Sequence, residues 1–238
     1  MVRILTYNVH RCVGADRRLD VGRVAAVIAA EAPDIVALQE VDVGRARTGG
    51  IDQAHDLARR LGMVSRFHAA LQVEEEQFGD AILTARPERL VKAGPLPGHP
   101  RIPRLEPRGA LWVAIELGGG TEVQVVNTHL GLVPHEQHRQ AEALTGPEWL
   151  GRAHGPTILL GDFNATPRTL VHRILARRLA NAQKVGARLA TFPAALPVLR
   201  LDHLFVSSEI KVRGLRVGVS PLARIASDHL PLVMDFDL

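Results

Sequence analysis

Residues 157–164 read TILLGDFN, an apolar run of strand length followed at once by an aspartate and an asparagine. Such a run predicts a buried strand over 156–161. Burying a carboxylate beside a core strand costs free energy unless a metal ion or a polar partner compensates it. The same arrangement recurs, so that six apolar runs are flanked by Asn8 and His10, Glu40, Asn127 and His129, Asp162 and Asn164, Asp202 and His203, and Asp228 and His229. Turn chemistry does not explain so many cases, and the pattern indicates a shared site.

The elements around this strand can be predicted from apolar spacing and turn residues. Helical spacing after Asp20 predicts a helix over 21–32 with Asp20 as its N-cap. Residues 86–108 contain six prolines and are predicted to be an irregular connection. The other predicted helices span 51–61, 135–150 and 168–180, and the other strands span 2–9, 35–41, 64–71, 79–85, 109–117, 121–128, 201–207, 211–219 and 230–237. This mixture predicts an α/β fold with helices covering packed sheets.

The composition limits the class of protein. The chain has 238 residues, 46% hydrophobic and 23% charged, which excludes disorder, collagen and a disulfide scaffold. No linker or repeat divides it, so we expect one domain over 1–238. Cys12 is the single cysteine, and the longest apolar stretch, 24–30, is far shorter than the about 20 residues of a membrane span. Without a leader before the first strand, we expect a cytoplasmic protein.

The basic residues are unevenly distributed. The net charge is only +4, yet no acidic residue lies between Asp162 and Asp202, and a second acid-free interval runs over 89–105. One-signed segments can attract a polyanion or an anionic membrane surface. The alternative is an ordinary solvated face, and the excess of arginine over lysine is explained more simply by genomic base composition.

The side chains that flank the strands are of three chemical kinds. Carboxylates are hard oxygen donors that suit Mg²⁺ or Mn²⁺. Amides can bind a metal ion, a phosphate oxygen or water, and imidazoles can take up or release a proton. The residues concerned are the carboxylates Glu40, Asp162 and Asp228, the amides Asn8 and Asn164, and the imidazoles His129 and His229.

Other chemistries are disfavoured by the sequence. The chain has no Cys/His cluster for structural zinc and no Gly-x-Ser-x-Gly turn for a serine nucleophile. The glycines at 118–120 lack the helix start and the lysine of a phosphate-binding loop, so use of a nucleoside triphosphate is also disfavoured.

Six motifs in order, TYNVH, LQEV, NTHL, GDFNATP, LDHLFVS and SDHLPLV, resemble the endonuclease/exonuclease/phosphatase superfamily of DNase I-like metal-dependent phosphoesterases. The resemblance runs from residue 4 to about 235. It implies a four-layer α/β sandwich, in which two packed mixed sheets are flanked by helices, and a cleft where the motifs converge.

The resemblance also implies roles for individual residues. Asn8 and Glu40 match metal-site positions, with Glu40 binding Mg²⁺ directly. Asp162 and Asn164 match the pair that orients or deprotonates the attacking water and contacts the phosphate. His129 matches a histidine near the leaving group.

The remaining implied roles concern the end of the chain and the substrate side. Asp228 and His229 match a final dyad, in which the aspartate orients the imidazole and also joins the metal site. Arg108, Asp202 and His10 are expected to bind substrate together with Asn164, although Asp202 has the alternative of a structural role. His203 is expected to be structural.

The substrate is not determined by the fold. The leading hypothesis is a Mg²⁺- or Mn²⁺-dependent phosphodiesterase, most simply a monomeric nuclease acting on DNA or RNA. The second is a phospholipid or small-molecule phosphoesterase, for which the partner is an anionic lipid. A hypothesis of another class is a catalytically silent phosphate-binding module. One departure from the family pattern is Asp80, where relatives commonly have asparagine; it either alters metal or substrate affinity or is a tolerated turn substitution.

Overall fold

The computed structural model describes residues 1–183 and 189–238. Its strands are β1 Val2–Asn8, β2 Ile35–Val43, β3 Val64–Val73, β4 Glu76–Thr84, β5 Glu88–Pro95, β6 Gly109–Gly118, β7 Thr121–His129, β8 Thr157–Asp162, β9 Ala180–Asn181, β10 Asp202–Val206, β11 Lys211–Val217 and β12 Leu232–Asp237. Its helices are α1 Val21–Glu31, α2 Gln53–Leu61, α3 Pro134–Thr145, α4 Leu170–Leu175 and α5 Ala223–Ala226, with 3₁₀ turns at His10–Cys12, Ala46–Thr48 and Leu150–Arg152. None of these helices is long and apolar enough to cross a membrane.

The described strands form two six-stranded mixed sheets, in the orders β11-β12-β1-β2-β4-β3 and β5-β6-β7-β8-β10-β9. In each sheet the third and fourth strands are parallel, β1 with β2 and β7 with β8, and the other described pairs are antiparallel. Parallel neighbours end at the same edge of a sheet. Each sheet therefore brings the ends of two central strands to one edge.

Apolar side chains divide the molecule into four layers, as the resemblance implies. Ile4 and Ile82 of the first sheet pack with Val113 and Leu160 of the second, forming the core between the sheets. A second core lies between the first sheet and helices α1 and α2, and a third lies between the second sheet and helices α3 and α4. Because Leu160 is fully buried, truncating it to alanine should cost about 2–5 kcal/mol.

The predicted N-cap of the first helix is confirmed. The Asp20 carboxylate accepts a hydrogen bond of 2.8 Å from the Arg23 backbone N–H, which satisfies one donor of the first turn. Val24 and Ile28, one turn apart, are fully buried against the first sheet. The helix ends at Glu31 because Ala32 turns into the left-handed region and Pro33 follows.

Three predicted boundaries are wrong. Residues 88–95 form β5 rather than an irregular connection, because an edge strand pairs on one side only and Pro95 stands at its end. The helix predicted over 135–150 ends at Thr145, since Gly146 and Pro147 stop it. The helix predicted over 168–180 spans only Leu170–Leu175, after which the chain turns to pair Asn181 with Phe205.

Candidate active site

The ends of the central strands of both sheets surround a cleft of about 450 Å³. Seven of the residues predicted from the sequence line it, namely Glu40, Arg108, His129, Asp162, Asn164, Asp228 and His229. The rest of the lining consists of Arg11, Arg47, Phe78, Glu106, Leu132, Phe192 and Leu201. Side chains that are up to about two hundred positions apart in the chain thus share one cavity.

Glu40 reaches the cleft because strand β2 bulges. The register with β4 shifts between Leu38 and Val41, and Glu40 itself has φ of 57°. A bulge re-aims a side chain, and a non-glycine residue in the left-handed region costs on the order of 1–3 kcal/mol. This strained conformation directs a partly exposed carboxylate toward the second sheet.

Asn8, at the end of β1, joins the two sheets at the site. Its Nδ2 donates hydrogen bonds of 3.0 Å to Glu40 Oε1 and of 3.0 Å to Asp162 Oδ2. Its Oδ1 accepts a 3.0 Å hydrogen bond from the backbone N–H of His10. The amide is nearly completely buried, so it holds two carboxylates of different sheets at a fixed separation.

Gln39 and Asn127 form a second link between the sheets, behind the cleft. Gln39 Nε2 donates to Asn127 Oδ1 at 2.7 Å. Asn127 Nδ2 donates to the backbone oxygens of Leu38 and Ala81 at 2.8 and 2.9 Å. Both side chains are fully buried, and the link fixes the strand segment from which Glu40 projects.

His229 is held between two carboxylates. Its Nδ1–H donates to Asp202 Oδ2 at 2.8 Å, and its Nε2 lies 3.5 Å from Asp162 Oδ2. Burial by itself lowers the pKa of His229, but the negative charges of Asp202 and Asp162 outweigh it and raise that pKa to about 10. The imidazole is therefore a cation at neutral pH.

The expectation that Asp228 orients this imidazole is wrong, because Asp202 is the partner of its Nδ1. Asp202 is fully buried and also accepts a hydrogen bond from Thr191 Oγ1, so it cannot contact substrate as expected. Asp228 lines the cleft, and its Oδ1 accepts a 3.3 Å hydrogen bond from Ser227 Oγ. Its carboxylate is left facing the cavity.

Asp162 is buried at the end of β8. Burial and the neighbouring Asp202 raise its pKa to about 6, although His229, the Asn164 backbone N–H and the Asn8 amide all favour the ionised form. The preceding Gly161 has φ of 141°, and a Cβ there would overlap the carbonyl oxygen of Thr128. Glycine at this position lets β7 and β8 approach closely and so places Asp162 beside His129.

His129 is neutral, whereas His229 is a cation. Arg108 Nη1, which can only donate, lies 3.0 Å from His129 Nδ1. Burial, then the positive charges of Arg108 and His229, lower the pKa of His129 well below its ordinary value. The Asn164 amide nitrogen, also a donor, lies 3.0 Å from Nε2, so each ring nitrogen faces a donor and a doubly protonated ring is disfavoured; Asp162 Oδ2 lies 3.6 Å from Nε2. His129 is thus a neutral group in the same cleft.

Residues 5–229 match the sequence profile of the Endonuclease/Exonuclease/phosphatase family. The chain belongs to this family. It is 26% identical to the uncharacterized protein YbhP of Escherichia coli K12, over 99% of this chain and 96% of that protein. Members of the family are hydrolytic phosphoesterases that typically use a divalent metal ion.

Solved structures agree with the architecture. An endonuclease/exonuclease/phosphatase from Beutenbergia cavernae superposes with a TM-score of 0.79 at 26% identity, covering 100% of this chain and 71% of that chain. The mannosyl-6-phosphatase Bt3783 of Bacteroides thetaiotaomicron superposes with a TM-score of 0.77 at 20% identity, covering 100% of both chains. The second likeness shows the fold alone. Together they confirm the four-layer sandwich of the family.

His10 lies outside the cleft, contrary to expectation, and Arg11 lines it. His10 is not among the lining residues, because its Nδ1–H donates to Val13 O at 3.0 Å and its Nε2 accepts from Arg11 at 2.6 Å. Arg11 lines the cleft instead, and the sequence signalled it only by its position three residues after Asn8. His203 is structural as expected, with its Nε2 bound to Ala165 O at 2.8 Å.

Asp80 does not lie in a turn. It occupies the middle of β4, opposite His68, and its side chain is almost completely buried. Burial raises the pKa of Asp80 to about 8, with Arg108 opposing the shift and Glu40 and Asp162 adding to it. The protein therefore carries a titratable group near its site, at the position where the family pattern noted in the sequence has a neutral amide.

The donors in the cleft suit a hard divalent cation of the kind the family uses. Among the described residues, Asp162, Asp202 and His229 offer ligand atoms within 4.8 Å of one another. The imidazole of that group is protonated and its Asp202 oxygen is already hydrogen-bonded, which weakens both as ligands. Glu40 and Asp228 present carboxylates to the cavity and no cysteine lines it, so the oxygen-rich donor set fits Mg²⁺ or Mn²⁺.

Proposed function

We propose that this protein is a Mg²⁺-dependent phosphodiesterase whose preferred substrate is DNA or RNA. The observation that carries the proposal is the convergence of the cleft carboxylate Glu40, on its strained bulge, with the charged pair of Asp162 and protonated His229. Such a site combines acidic oxygens for a cation with a fixed positive charge for a phosphoryl group. A cytoplasmic location and a monomeric state stay predictions.

Glu40 and Asp228 are the residues that would hold the metal ion, while Asn8, expected from the sequence to be a ligand, has both polar atoms of its amide in hydrogen bonds and supports Glu40 instead. Glu40 and Asp228 supply carboxylate oxygens, and Asn8 ties Glu40 to Asp162. When bound, Mg²⁺ polarises a phosphoryl oxygen and neutralises negative charge that develops during hydrolysis. Mn²⁺ prefers similar oxygen ligands and is expected to substitute.

The chain's own groups divide the remaining work according to their charge. At neutral pH Asp162 is ionised, whereas His229 is already protonated and burial disfavours a proton on His129. Asp162 is therefore the group that orients and deprotonates the attacking water. Protonated His229 donates its Nε2–H to a phosphoryl oxygen. His129 lies on the other side of Asp162 and offers a neutral imidazole, which suits a position beside the leaving oxygen.

Nucleic acid is favoured because cationic side chains flank the site. Arg11, Arg47 and Arg108 line the cleft. Arg108 is also paired with Glu106 at 2.8 Å, and Arg47 with Asp42 at 2.7 Å, so their guanidinium groups are held in place. Arginines bind phosphate oxygens without reading bases, which supports cleavage directed at the backbone. With only one tyrosine and two tryptophans in the chain, stacking of unpaired bases is a minor contribution.

A phospholipid substrate is the second candidate, and one observation favours it. Leu132 lines the cleft although it is 71% exposed, and Phe192 lies beside it in the lining. Apolar side chains at the mouth would contact an acyl chain. The catalytically silent module is disfavoured because Glu40, Asp162 and His229 converge in one cleft.

The test is an activity panel with purified protein in Mg²⁺, Mn²⁺ and EDTA. The substrates are plasmid DNA, RNA, bis-p-nitrophenyl phosphate, p-nitrophenyl phosphate and phospholipid vesicles. We expect metal-dependent cleavage of nucleic acid and of the diester, and loss of both in His229→Ala. His154→Ala, an exposed histidine outside the cleft, is the matched control and should retain activity.

Two outcomes would contradict the proposal. Nicking that persists in His229→Ala identifies a contaminating nuclease. Hydrolysis confined to vesicles or to the monoester transfers the assignment to the second candidate or to a phosphatase.

A further inference from the structure

A second cavity, of about 530 Å³, lies beside the catalytic cleft. Its wall includes Arg168, Arg173 and Arg200, and no carboxylate lines it in the described ranges. None of these three arginines forms an ion pair with a described residue. The cavity belongs to the acid-free segment noted in the sequence; Lys184 and Arg188 of that segment lie outside the described residues. We call it the arginine pocket.

A buried hydrogen-bond donor faces the arginine pocket. His172 is 6% exposed, and its Nδ1 lies 3.1 Å from the amide nitrogen of Asn181, which makes Nδ1 the acceptor and leaves the ring proton on Nε2. Nε2 is buried and makes no hydrogen bond of ordinary geometry with a described residue, although the Ala165 backbone favours the protonated ring. A buried N–H without an acceptor is costly, so its presence in the wall points to a ligand that accepts hydrogen bonds.

The arginine pocket and the catalytic cleft share a thin wall. Asn164 lines the cleft and Thr166 lines the pocket, and this two-residue step spans at most about 7 Å. In the same way, Leu201 lines the cleft and the preceding residue, Arg200, lines the pocket. Adjacent residues of β10 point to opposite faces of the sheet, so that Asp202 contacts His229 on the catalytic side while the His203 ring meets His172 edge to face.

We propose that the arginine pocket binds a second phosphoryl group of a substrate whose scissile phosphate occupies the catalytic cleft. Three unpaired guanidinium groups supply the positive charge, and the His172 Nε2–H supplies a directed donor. The inference rests on the proposed function and narrows it to substrates with more than one phosphate. The recognised chemistry is shared by the next phosphate of a nucleic acid strand, a bisphosphorylated lipid headgroup and free phosphate.

The binding test follows the imidazole resonances of His172 by NMR. Three ligands are titrated separately, namely inorganic phosphate, a 5′-phosphorylated dinucleotide and a soluble headgroup with two phosphates. We expect a saturable shift that is tightest for the ligand class of the true substrate. The double variant Arg168→Gln/Arg173→Gln should weaken binding by at least about tenfold, since a hydrogen bond to a charged group contributes that much.

Arg177→Gln is the matched control for the binding test. It removes one charge from the same segment, but Arg177 is paired with Glu142 at 3.2 Å and lies outside the pocket lining. It should bind each ligand as the wild-type protein does. A His172 signal that does not respond to any of the ligands overturns the proposal, as does an equal loss of binding in the control and in the double variant.

The activity test compares kcat/KM for a phosphorylated oligonucleotide with kcat/KM for bis-p-nitrophenyl phosphate, which has one phosphate. The double variant should lower the ratio of the two values about tenfold, and Arg177→Gln should preserve it. An unchanged ratio in the double variant overturns the assignment to substrate. If the wild-type protein hydrolyses neither compound, the proposed function fails, while the NMR titration still decides whether the pocket binds phosphate.

Discussion

Two histidines of one cleft differ in charge because their neighbours differ. His229 lies between Asp202 and Asp162, which raise its pKa to about 10 in spite of burial. His129 is buried as well, but its neighbour is the Arg108 guanidinium, and its pKa falls well below the ordinary value. The residue type alone therefore does not tell which imidazole is a cation. Burial lowers the pKa of both rings; the carboxylates beside His229 outweigh it, whereas the guanidinium beside His129 adds to it.

The most direct way to break this comparison is to replace both rings with the same amide. His229→Gln should lower kcat about 10²–10³-fold, because the amide cannot supply the positive charge. His129→Gln should lower it much less, because a neutral N–H donor replaces another. Measurement of kcat on bis-p-nitrophenyl phosphate checks both variants. Equal losses would show that the two imidazoles carry the same charge.

Removing the carboxylate partner tests the charge of His229 through stability. The raised pKa of folded His229 contributes stability that is complete below about pH 6.5, its ordinary value in the unfolded chain, and is lost as pH rises through about 10. Urea unfolding in EDTA should therefore show falling stability of the wild-type protein over pH 7–10. Asp202→Asn should cost about 3–5 kcal/mol at pH 7, because it breaks a buried pair, and should flatten this decline.

The control for that measurement is Glu122→Gln, which alters an exposed carboxylate paired with Arg89. It should change stability by less than about 1 kcal/mol and keep the alkaline decline. A wild-type protein whose stability does not change between pH 7 and 10 contradicts the charge assigned to His229.

Arg108→Gln sharpens the other half of the comparison. Loss of the guanidinium should lower kcat/KM about tenfold or more, since a charged hydrogen bond is removed. His129 should nevertheless stay neutral at pH 7, because burial is the larger cause of its lowered pKa. Kinetics and an NMR pH titration of the His129 ring check both points, with the exposed Arg104→Gln as control. An ordinary pKa for His129 in the variant would mean that Arg108 alone sets its charge.

Asp80→Asn should give the smallest effect. The raised pKa of folded Asp80 means that the wild-type protein loses stability as pH rises from about 4 to about 8, since the unfolded carboxyl ionises first. The amide removes this cost, so the variant should be more stable at pH 8, on the order of 1 kcal/mol. Thermal unfolding across this pH range checks the prediction, and Glu75→Gln, in an exposed turn, should leave the wild-type slope unchanged.

The fold and most of the cleft could be predicted from the sequence, because each motif stands at the end of an apolar strand. The partner of His229 could not. Asp228 is adjacent in the chain, but the carboxylate that reaches Nδ1 comes from Asp202 on strand β10. Arg108, 21 residues away, likewise adds to the effect of burial on the pKa of His129. Pairings of this kind arise from sheet packing, which apolar periodicity does not encode.

The arginine pocket shows the same limit. The acid-free segment was visible in the sequence, but a sequence does not tell whether its arginines disperse over a surface or converge. Convergence requires Arg200 to precede β10 while Arg168 and Arg173 flank the start of α4. The edge strand β5 is not predictable for a related reason. The prolines of residues 86–108 argue against a strand unless it has a neighbour on one side only, and the sequence does not show that β5 does.

The bridge that Asn8 makes between Glu40 and Asp162 ties catalytic competence to the alignment of the two halves of the sandwich. A sliding movement of one sheet over the other, even by a fraction of a hydrogen-bond length, would separate an acidic ligand from the water-activating group before any strand unpaired. Heat or a denaturant should therefore abolish activity as soon as the two sheets shift relative to each other.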